Sequence, residues 1–282
     1  MAATKEAAIL DEIATSILAS GIQLQLYHAE AGPGQYEVVT GPLPPLEAAD
    51  ALIHTREIIY QTASKYGLRA TFAPRPFMTS TGSSCHTHIS VHSPLDSKKE
   101  TSGLSTYESA FLAGVLDHLP AVACLTLPTP ASYKRMVDGV WSGGTYVSWG
   151  TENRESPVRL ANASSPSSRN FEIRCVDATS NPHLALAAIV GSAVAGIKSK
   201  QALTLKDCPG PKSAAQLTED ERQALGIVKR MPLSIAEARK NFVGDAVLGK
   251  VFGKEFVEKY MLLSEVCGPD SHYCVKLSKY LS

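Results

Sequence analysis

The N-terminal part of the chain changes from a helical to a strand-like pattern of apolar residues. A helix is predicted over residues 4–20, where apolar side chains recur with a helical period at Ile9, Ile13, Ile17 and Leu18. Residues 22–26 then alternate apolar and polar positions, which indicates a strand. Val38 and Val39 indicate a partner strand, with Gly32-Pro33-Gly34 as the turn. We therefore expect a helix followed by a β-hairpin.

The remainder of the chain mixes helices and strands without a regular βαβ alternation. Strand-like segments are 70–72, 86–91 and 171–176; helical ones are 46–66, 107–127, 218–224, 234–241, 254–266 and an apolar helix starting at Asn181-Pro182. Pro120 should break or kink the second of these helices, because proline removes a backbone donor. Residues 128–168 are predicted to be rich in loops, and residues 206–216 to run over the surface. This order favours an α+β fold with an antiparallel sheet.

Composition and charge exclude several classes of partner. The 282 residues include 27 basic and 27 acidic ones, so the net charge of zero gives no reason to expect nucleic acid or an anionic membrane. No stretch approaches the roughly 20 uncharged apolar residues of a membrane span, and the N-terminus does not resemble a signal peptide. The six cysteines form no CxxC pair, so free thiols and a cytoplasmic protein are expected.

Two acids flank the predicted hairpin turn. Glu30 and Glu37 lie on opposite arms and could converge on one divalent cation, since Mg²⁺ and Mn²⁺ prefer oxygen ligands. The alternative is a solvated hairpin with two surface acids. Further along, His86, His88 and Ser90 would share one face of a strand, after a Gly/Ser-rich loop at Gly82 that could approach an anion. A structural His-x-His pair is the alternative there.

A third group of residues is basic. Its arginines are Arg135, Arg154, Arg159 and Arg174. Guanidinium groups suit phosphate or carboxylate recognition. Glu172 would share a strand face with Arg174. Surface ion pairs, worth about 0–1 kcal/mol each, are the alternative for any single arginine. The order of all three groups along the chain carries more weight than any member.

Taken in this order, the motifs resemble those of the bacterial-type glutamine synthetases. The resemblance covers nearly the whole chain, and rests on Tyr27–Glu37, on Phe72–Pro76 with Thr81–Ser90, on Ser132–Arg135 with Asn153, Arg154 and Arg159, and on Phe171–Asp177 with Asn181-Pro182. It implies that residues 1–282 are the C-terminal part of a synthetase catalytic domain, a curved antiparallel sheet flanked by helices. Residues 217–282 would be its helical C-terminal region, and the family's N-terminal β-grasp domain would be missing.

The resemblance also implies a role for each candidate residue. Glu30 and Glu37 would bind one Mg²⁺ or Mn²⁺ ion, and His86 and Glu172 a second ion beside the ATP phosphates. His88 and Ser90 would contact the nucleotide, and Arg154 and Arg159 would neutralise the transferred phosphoryl group. Gly82, Arg135 and Arg174 would bind glutamate, with Arg135, Arg154 and Arg174 as catalytic residues.

Some positions depart from the family pattern. No residue before Gly21 supplies the family's upstream glutamate strand, and Gly139–Gly144 lacks the acid of the loop that closes over the site. Trp141 stands near that place, where it could favour a larger amine or could simply pack under the loop. Arg75, Ser84 and Ser167 replace a lysine, a glycine and a lysine, as in a divergent fungal and plant branch linked to development and signalling.

The sequence thus leads to two functional hypotheses. The first is an ATP-dependent ligase that joins ammonia or another amine to the γ-carboxylate of glutamate through γ-glutamyl phosphate. Its partners would be small molecules, and it would form a homo-oligomer once the N-terminal domain is supplied. The second is a truncated or inactive synthetase-like protein with a regulatory role.

Overall fold

A computed structural model describes residues 5–94 and 103–266, which form two compact units. The first unit contains residues 5–72 and 76–81. The second contains residues 73–75, 82–94 and 103–266. The predicted C-terminal region therefore lies in the second unit up to residue 266, and its remainder, 267–282, lies outside the described residues.

The first unit is two helices and a hairpin around an aliphatic core. Its elements are α1 (Lys5–Ala19), β1 (Leu24–Ala29), β2 (Tyr36–Thr40) and α2 (Pro45–Lys65). Three residues of the predicted stripe of α1 are buried, Ile9, Ile13 and Ile17, whereas Leu18 is exposed. The strands pair antiparallel and place His28 opposite Glu37. The helices and the hairpin were predicted correctly, whereas residues 70–72, predicted as strand-like, form no regular element.

The second unit contains a four-stranded sheet whose register positions charged side chains. Its strands are β3 (Thr87–Ile89), β4 (Trp149–Thr151), β5 (Val158–Ala161) and β6 (Asn170–Ile173), in the order β3-β6-β5-β4. The β3–β6 and β5–β6 pairs are antiparallel, and β4 joins β5 in parallel. Glu172 is opposite His88 on one side and Arg159 on the other. Directly opposite residues share a face, so these three side chains form one row.

Helices pack against this sheet and bury the largest apolar cluster. The helices of this unit are α3 (Thr106–Thr126), α4 (Pro130–Tyr133), α5 (Pro182–Ser199), α6 (Glu219–Ala224), α7 (Ile235–Gly244), α8 (Ala246–Phe252) and α9 (Lys254–Val266). All of them except the solvent-facing α6 contribute residues to the cluster. The backbones of α3 and α5 approach closely at Gly114 and Gly196, where a Cβ atom would lie 2.5 Å and 2.4 Å from a carbonyl oxygen of the other helix. The α+β class is confirmed.

Two expectations about the second unit need correcting in part: the helix is not broken at Pro120, and residues 206–216 are not exposed throughout. Helix α3 runs unbroken through Pro120, because its nearly continuous burial against α5 and α7 offsets a proline cost of about 3 kcal/mol. Residues 206–216 do not simply cross the surface: Cys208 is buried and donates its N–H to the Trp149 carbonyl at 3.0 Å. Asp207 accepts two hydrogen bonds from Thr151. The segment therefore covers the β4 edge of the sheet.

Helices α3 and α5 are long and apolar enough to cross a membrane by length and composition. The apolar window of α3 is 83% buried and that of α5 is 39% buried within the protein. Core helices of soluble proteins share this composition, so the two helices are weak support for a membrane span. The absence of a membrane partner stays a prediction.

An ion pair between α3 and the start of α8 joins the C-terminal helices to the core. His118 Nδ1 lies 2.7 Å from Asp245 Oδ2. The other carboxylate oxygen of Asp245 caps α8 by accepting from the Val247 and Leu248 amides, both at 2.9 Å. The hydrogen bond to Asp245 raises the pKa of His118, an effect that outweighs burial. Burial opposes ionisation of Asp245, but the His118 and backbone hydrogen bonds lower its pKa.

We expect Asp245→Ala to lower the free energy of unfolding by about 1 kcal/mol for the lost cap, plus the ion-pair contribution. Asp245→Asn should lose only the ion-pair part, since its side-chain oxygen still caps α8. Because the pKa of His118 is raised in the folded state, the ion pair contributes its full stabilisation when the pH is below the ordinary histidine pKa of 6.5. This stabilisation is lost as the pH rises through the pKa of the folded state. The Asp245→Asn deficit should therefore shrink at alkaline pH, as measured by urea unfolding at several pH values.

The exposed acid Glu258 on α9 provides a matched control, since Glu258→Gln removes only a surface ion pair with Lys254. Its effect should be about 0–1 kcal/mol. A pH-independent Asp245→Asn deficit would contradict the assigned role of the His118 pair.

Candidate active site

The hairpin of the first unit brings three potential metal ligands together. Glu37 lies on β2, and Glu30 follows β1, where its N–H donates to the Gln35 carbonyl at 2.8 Å and closes the turn. Gly34 has φ +67°, a conformation that glycine adopts without strain. One ligand atom from each of His28, Glu30 and Glu37 lies within 4.8 Å of the other two. Two carboxylates and an imidazole at this spacing fit one Mn²⁺ or Mg²⁺ ion.

His28 was not predicted as a ligand, although its position two residues before Glu30 is a readable signal on a strand. Its Nε2 atom lies 3.2 Å from a Glu37 oxygen and 3.8 Å from a Glu30 oxygen. Its Nδ1 atom lies 2.9 Å from the Ala29 carbonyl, which accepts the ring proton and leaves the Nε2 lone pair facing the acids. Metal-binding histidines use this arrangement. The Ala29 bond and the two carboxylates raise the pKa of His28 against the effect of burial.

Glu172 is the centre of the predicted site residues in the second unit. Its carboxylate is only 3% exposed as part of β6. One oxygen accepts from Arg174 Nη1 at 2.5 Å and lies 3.0 Å from His86 Nδ1. The other oxygen lies 3.0 Å from Arg159 Nε. Three other predicted residues, His86, Arg159 and Arg174, therefore meet at one buried carboxylate.

The protonation states in this cluster suit cation and anion binding. Burial opposes ionisation of Glu172, but His86, Arg174 and Arg159 together hold its pKa at about 2. Burial lowers the pKa of His86 to about 4, and the neighbouring guanidiniums act in the same direction. At neutral pH the site therefore presents a carboxylate and a neutral imidazole, the forms that bind metal ions.

Arg135 adds a second buried guanidinium to the cluster. Its Nη2 donates to the Arg174 carbonyl at 3.2 Å and lies 3.4 Å from His86 Nε2. Burial lowers the pKa of Arg135 to about 10, against the favourable charge of Asp177, so it is a cation at neutral pH. Gly82 packs on this side chain, and a Cβ atom there would lie 2.9 Å from Arg135 Cγ. Any larger residue at Gly82 would displace the arginine.

Three buried polar atoms at this place lack a hydrogen bond: Glu172 Oε2, Arg159 Nε and Arg174 Nε. The first two are at ion-pair distance but are not aligned for a hydrogen bond. Buried polar groups are nearly always satisfied in native proteins, so each such group needs an explanation. A cation on the free carboxylate oxygen and anionic oxygens on the two Nε–H groups would satisfy all three.

The remaining predicted residues of the second unit are exposed to solvent. His88 is exposed, with Nδ1 at 2.8 Å from Asn170 Oδ1 and Nε2 at 4.0 Å from Glu172. Ser90 and Arg154 are also exposed. Burial is the main cause of the lowered pKa of Arg174, and the charge of Arg154 contributes to it. Arg154 is therefore within electrostatic range of the cluster. Nucleotide contacts by His88 and Ser90 stay predictions, as does the convergence of Glu30 and Glu37 with this cluster.

Comparison with protein families gives a match over almost the whole chain. A family model described as the catalytic domain of glutamine synthetase matches residues 2–266. Similar proteins include fluG of Emericella nidulans, which is 41% identical over 255 residues, or 90% of this chain. The glutamine synthetase of Methanocaldococcus jannaschii is 35% identical, and a gamma-glutamylpolyamine synthetase of Streptomyces coelicolor is 31% identical, each over 86% of the chain.

The matched part of these relatives is limited. The chain spans 27% of fluG and about half of the two synthetases, 53% and 52%. Among solved structures, the glutamine synthetase of Plasmodium falciparum has the same fold, with a TM-score of 0.77 at 23% identity; 92% of this chain and 58% of that chain are covered. A GmaS–ADP complex gives a TM-score of 0.75 at 26% identity, over 92% and 59%.

We expect Glu172→Gln to lower the free energy of unfolding by about 3–5 kcal/mol, because it leaves the buried guanidiniums without their counter-charge. It should also abolish Mg²⁺-dependent ATP binding. Chemical unfolding and calorimetric titration measure the two effects.

Glu152→Gln is the matched control, since Glu152 lies 3.8 Å from the same Arg159 but is exposed. Its cost should be about 0–1 kcal/mol. Equal costs for both variants would show that Glu172 is not the charge centre of the cluster.

We expect His28→Ala to weaken Mn²⁺ binding at one site by at least about tenfold, the loss typical of disturbing a metal ligand environment. Electron paramagnetic resonance of free Mn²⁺ gives the affinity. His54→Ala is the control, because His54 is an exposed histidine of the same unit that only contacts the Ser20 hydroxyl. An unchanged Mn²⁺ titration for His28→Ala would remove His28 from the ligand set.

Proposed function

Because this chain belongs to the glutamine synthetase family by the match to its catalytic domain, we propose that it is the catalytic region of an ATP-dependent glutamate–amine ligase. The amine is ammonia or a larger amine, and the product is the γ-glutamyl amide. The observation that supports this most is the set of unsatisfied buried atoms around Glu172. A buried carboxylate oxygen beside guanidinium N–H groups suits a cation paired with phosphate or carboxylate oxygens.

Two groups of residues would hold divalent cations. Glu30 and Glu37, with His28, would bind one Mg²⁺ or Mn²⁺ ion, and His86 and Glu172 a second. Such ions supply charge neutralisation at the ATP phosphates and orient the transferred phosphoryl group. This assignment is supported by the short distances within each group.

The arginines would bind the anionic parts of the reactants. Arg135 and Arg174, beside Gly82, are proposed to hold the glutamate carboxylates, where bidentate guanidinium contacts orient the substrate. Arg154 and Arg159 would neutralise the phosphoryl oxygens, and His88 and Ser90 would contact the nucleotide. Fixed guanidiniums stabilise developing charge without reorganising during the reaction.

The proposed chemistry has two steps. An oxygen of the glutamate γ-carboxylate attacks the γ-phosphorus of ATP, so that ADP leaves and γ-glutamyl phosphate forms. The amine nitrogen then attacks the acyl carbon, phosphate leaves with the bonding electrons, and the amine loses a proton. Exclusion of water protects the acyl phosphate between the steps.

A second candidate function is a synthetase-like protein that binds nucleotide without ligase turnover and acts in regulation. One observation favours it. Asp138, the acid of the loop Val137–Thr145, already accepts hydrogen bonds from the Thr145 amide and hydroxyl at 2.9 and 2.7 Å. The loop therefore presents no free carboxylate.

A cytoplasmic location and a homo-oligomeric assembly are further parts of the proposal.

The ligase proposal predicts that the full chain releases phosphate from ATP only when Mg²⁺ or Mn²⁺, glutamate and an amine are all present. The assay is a coupled phosphate measurement with ammonia, a diamine and a polyamine as separate acceptors, together with mass detection of the γ-glutamyl product. Arg174→Lys should raise the glutamate concentration needed for half-maximal rate, because one ammonium group cannot replace a bidentate fork.

The rival function gives a different result. Saturable Mg²⁺-dependent ATP binding with no amine-dependent phosphate release for any acceptor would support the inactive protein. Absence of both nucleotide binding and turnover would contradict both candidate functions.

A further inference from the structure

The loop Val137–Thr145 is attached to the sheet of the second unit through one buried acid. Glu155, 6% exposed, lies in the turn between β4 and β5. One of its oxygens accepts from the Trp141 N–H at 2.8 Å, and the other from the Gly139 N–H at 3.0 Å. Both oxygens of a buried carboxylate are thus bound to the backbone of a single loop. Charge-assisted bonds of this kind are about twice as strong as neutral ones.

Glu155 is itself held in place. Its N–H donates to Asn153 Oδ1 at 2.9 Å. The Asn153 side chain also donates to the carbonyls of Cys208 and Lys212, at 2.7 and 3.1 Å. Gly144 packs so closely that a Cβ atom there would lie 2.6 Å from the Glu155 carbonyl oxygen. The carboxylate is therefore a fixed point relative to the sheet.

The conformation of Trp141 shows that the loop is held by its backbone. Trp141 has φ +56°, which is uncommon for an aromatic residue and persists only where its surroundings impose it. Trp141 is 64% exposed, so it is not a tryptophan packed under the loop. The strained conformation must then come from the polar contacts of its N–H and C=O groups.

The Trp141 carbonyl connects the loop to the candidate site. It accepts from Arg174 Nη2 at 2.8 Å, while Nη1 of the same guanidinium donates to Glu172. These two bonds fix the plane of the guanidinium and the direction of its buried, unsatisfied Nε–H. Any shift of the Trp141 backbone would rotate this fork.

We propose that Glu155 is a positioning residue: it fixes the Trp141 backbone and thereby orients the Arg174 guanidinium for its anionic ligand. Glu155 does not touch Arg174 and acts through the loop. The immobilisation of the loop is independent of the proposed ligase function, whereas the consequence for glutamate binding rests on it.

The first experiment tests the loop alone. In the full chain, Glu155→Gln and Glu155→Ala should speed hydrogen exchange at the Gly139 and Trp141 amides by about tenfold or more, the change expected when a charge-assisted bond is lost. Glu152→Gln, an exposed acid of the same turn, should leave both amides unchanged. Glu155→Gln preserves the side-chain shape, so its exchange rates test the proposal if the alanine variant does not fold. Unchanged exchange in a folded Glu155 variant would overturn the proposal.

Fluorescence gives a second readout of the loop. The chain has two tryptophans, and Trp149 is only 2% exposed, so acrylamide quenching reports chiefly on Trp141. Glu155→Gln should lower the anisotropy of the quenchable component, and Trp141→Phe should remove that component. An anisotropy equal to that of the unaltered chain would also contradict the proposal.

The final experiment tests the link to Arg174. Glu155→Gln should raise the KM for glutamate by about tenfold, with less than about a twofold change in the KM for ATP, because misorientation of one binding group affects only its own ligand. If the loop exchanges faster but the KM for glutamate is unchanged, the proposal that Glu155 orients Arg174 is wrong. If the unaltered chain has no ligase activity, the proposed function fails, but the exchange result for Glu155 still stands.

Discussion

The buried carboxylate of Glu172 is the interaction on which the second unit's candidate site depends. It is paired across the sheet with His88 and Arg159 and along its own chain with Arg174. A carboxylate buried to this degree is stable only because guanidinium groups and His86 compensate the loss of water. The same charges keep the arginines inside the protein, so removing one partner leaves the others unpaired. Sheet register, rather than any single loop, therefore determines which charged groups meet.

Unsatisfied buried donors explain why this cluster is better suited to a ligand than to stability alone. Arg135, Arg159 and Arg174 are faced by Glu172 and by Asp177, since His86 is neutral. The exposed Glu152, 3.8 Å from Arg159, is a third acid of this network, yet two buried guanidinium donors still have no hydrogen-bond partner. A purely structural ion-pair network would satisfy its donors, because unsatisfied buried groups cost about 1–3 kcal/mol each. Anionic oxygens bound at these donors would recover this cost.

Much of the fold could be predicted from the sequence, because it depends on local pattern. The candidate residues that meet at Glu172 came instead from the order of their motifs along the chain and from the family resemblance. The period of Ile9, Ile13 and Ile17 and the turn around Gly34 are local signals, and the structure follows them. The features that were missed depend on contacts between distant segments. Helix α3 continues through Pro120 because of helix packing that no local rule contains, and Cys208 is buried because the segment 206–216 covers β4. Glu155 could not be recognised either, since a lone acid gains its role only when Gly139 and Trp141 are folded onto it.

In the proposed ligase, cation and anion binding at Glu172 would assist each other. In the absence of ligands the guanidiniums of Arg159 and Arg174 are directed at this carboxylate. A cation bound to Glu172 would replace part of their attraction and free N–H groups for phosphate or carboxylate oxygens, while those oxygens would in turn neutralise the arginines beside the cation. Such coupling is reciprocal by thermodynamic necessity. A site of this kind would reach its full affinity only when a metal ion and anionic reactants are present together, which would limit unproductive binding of either one alone.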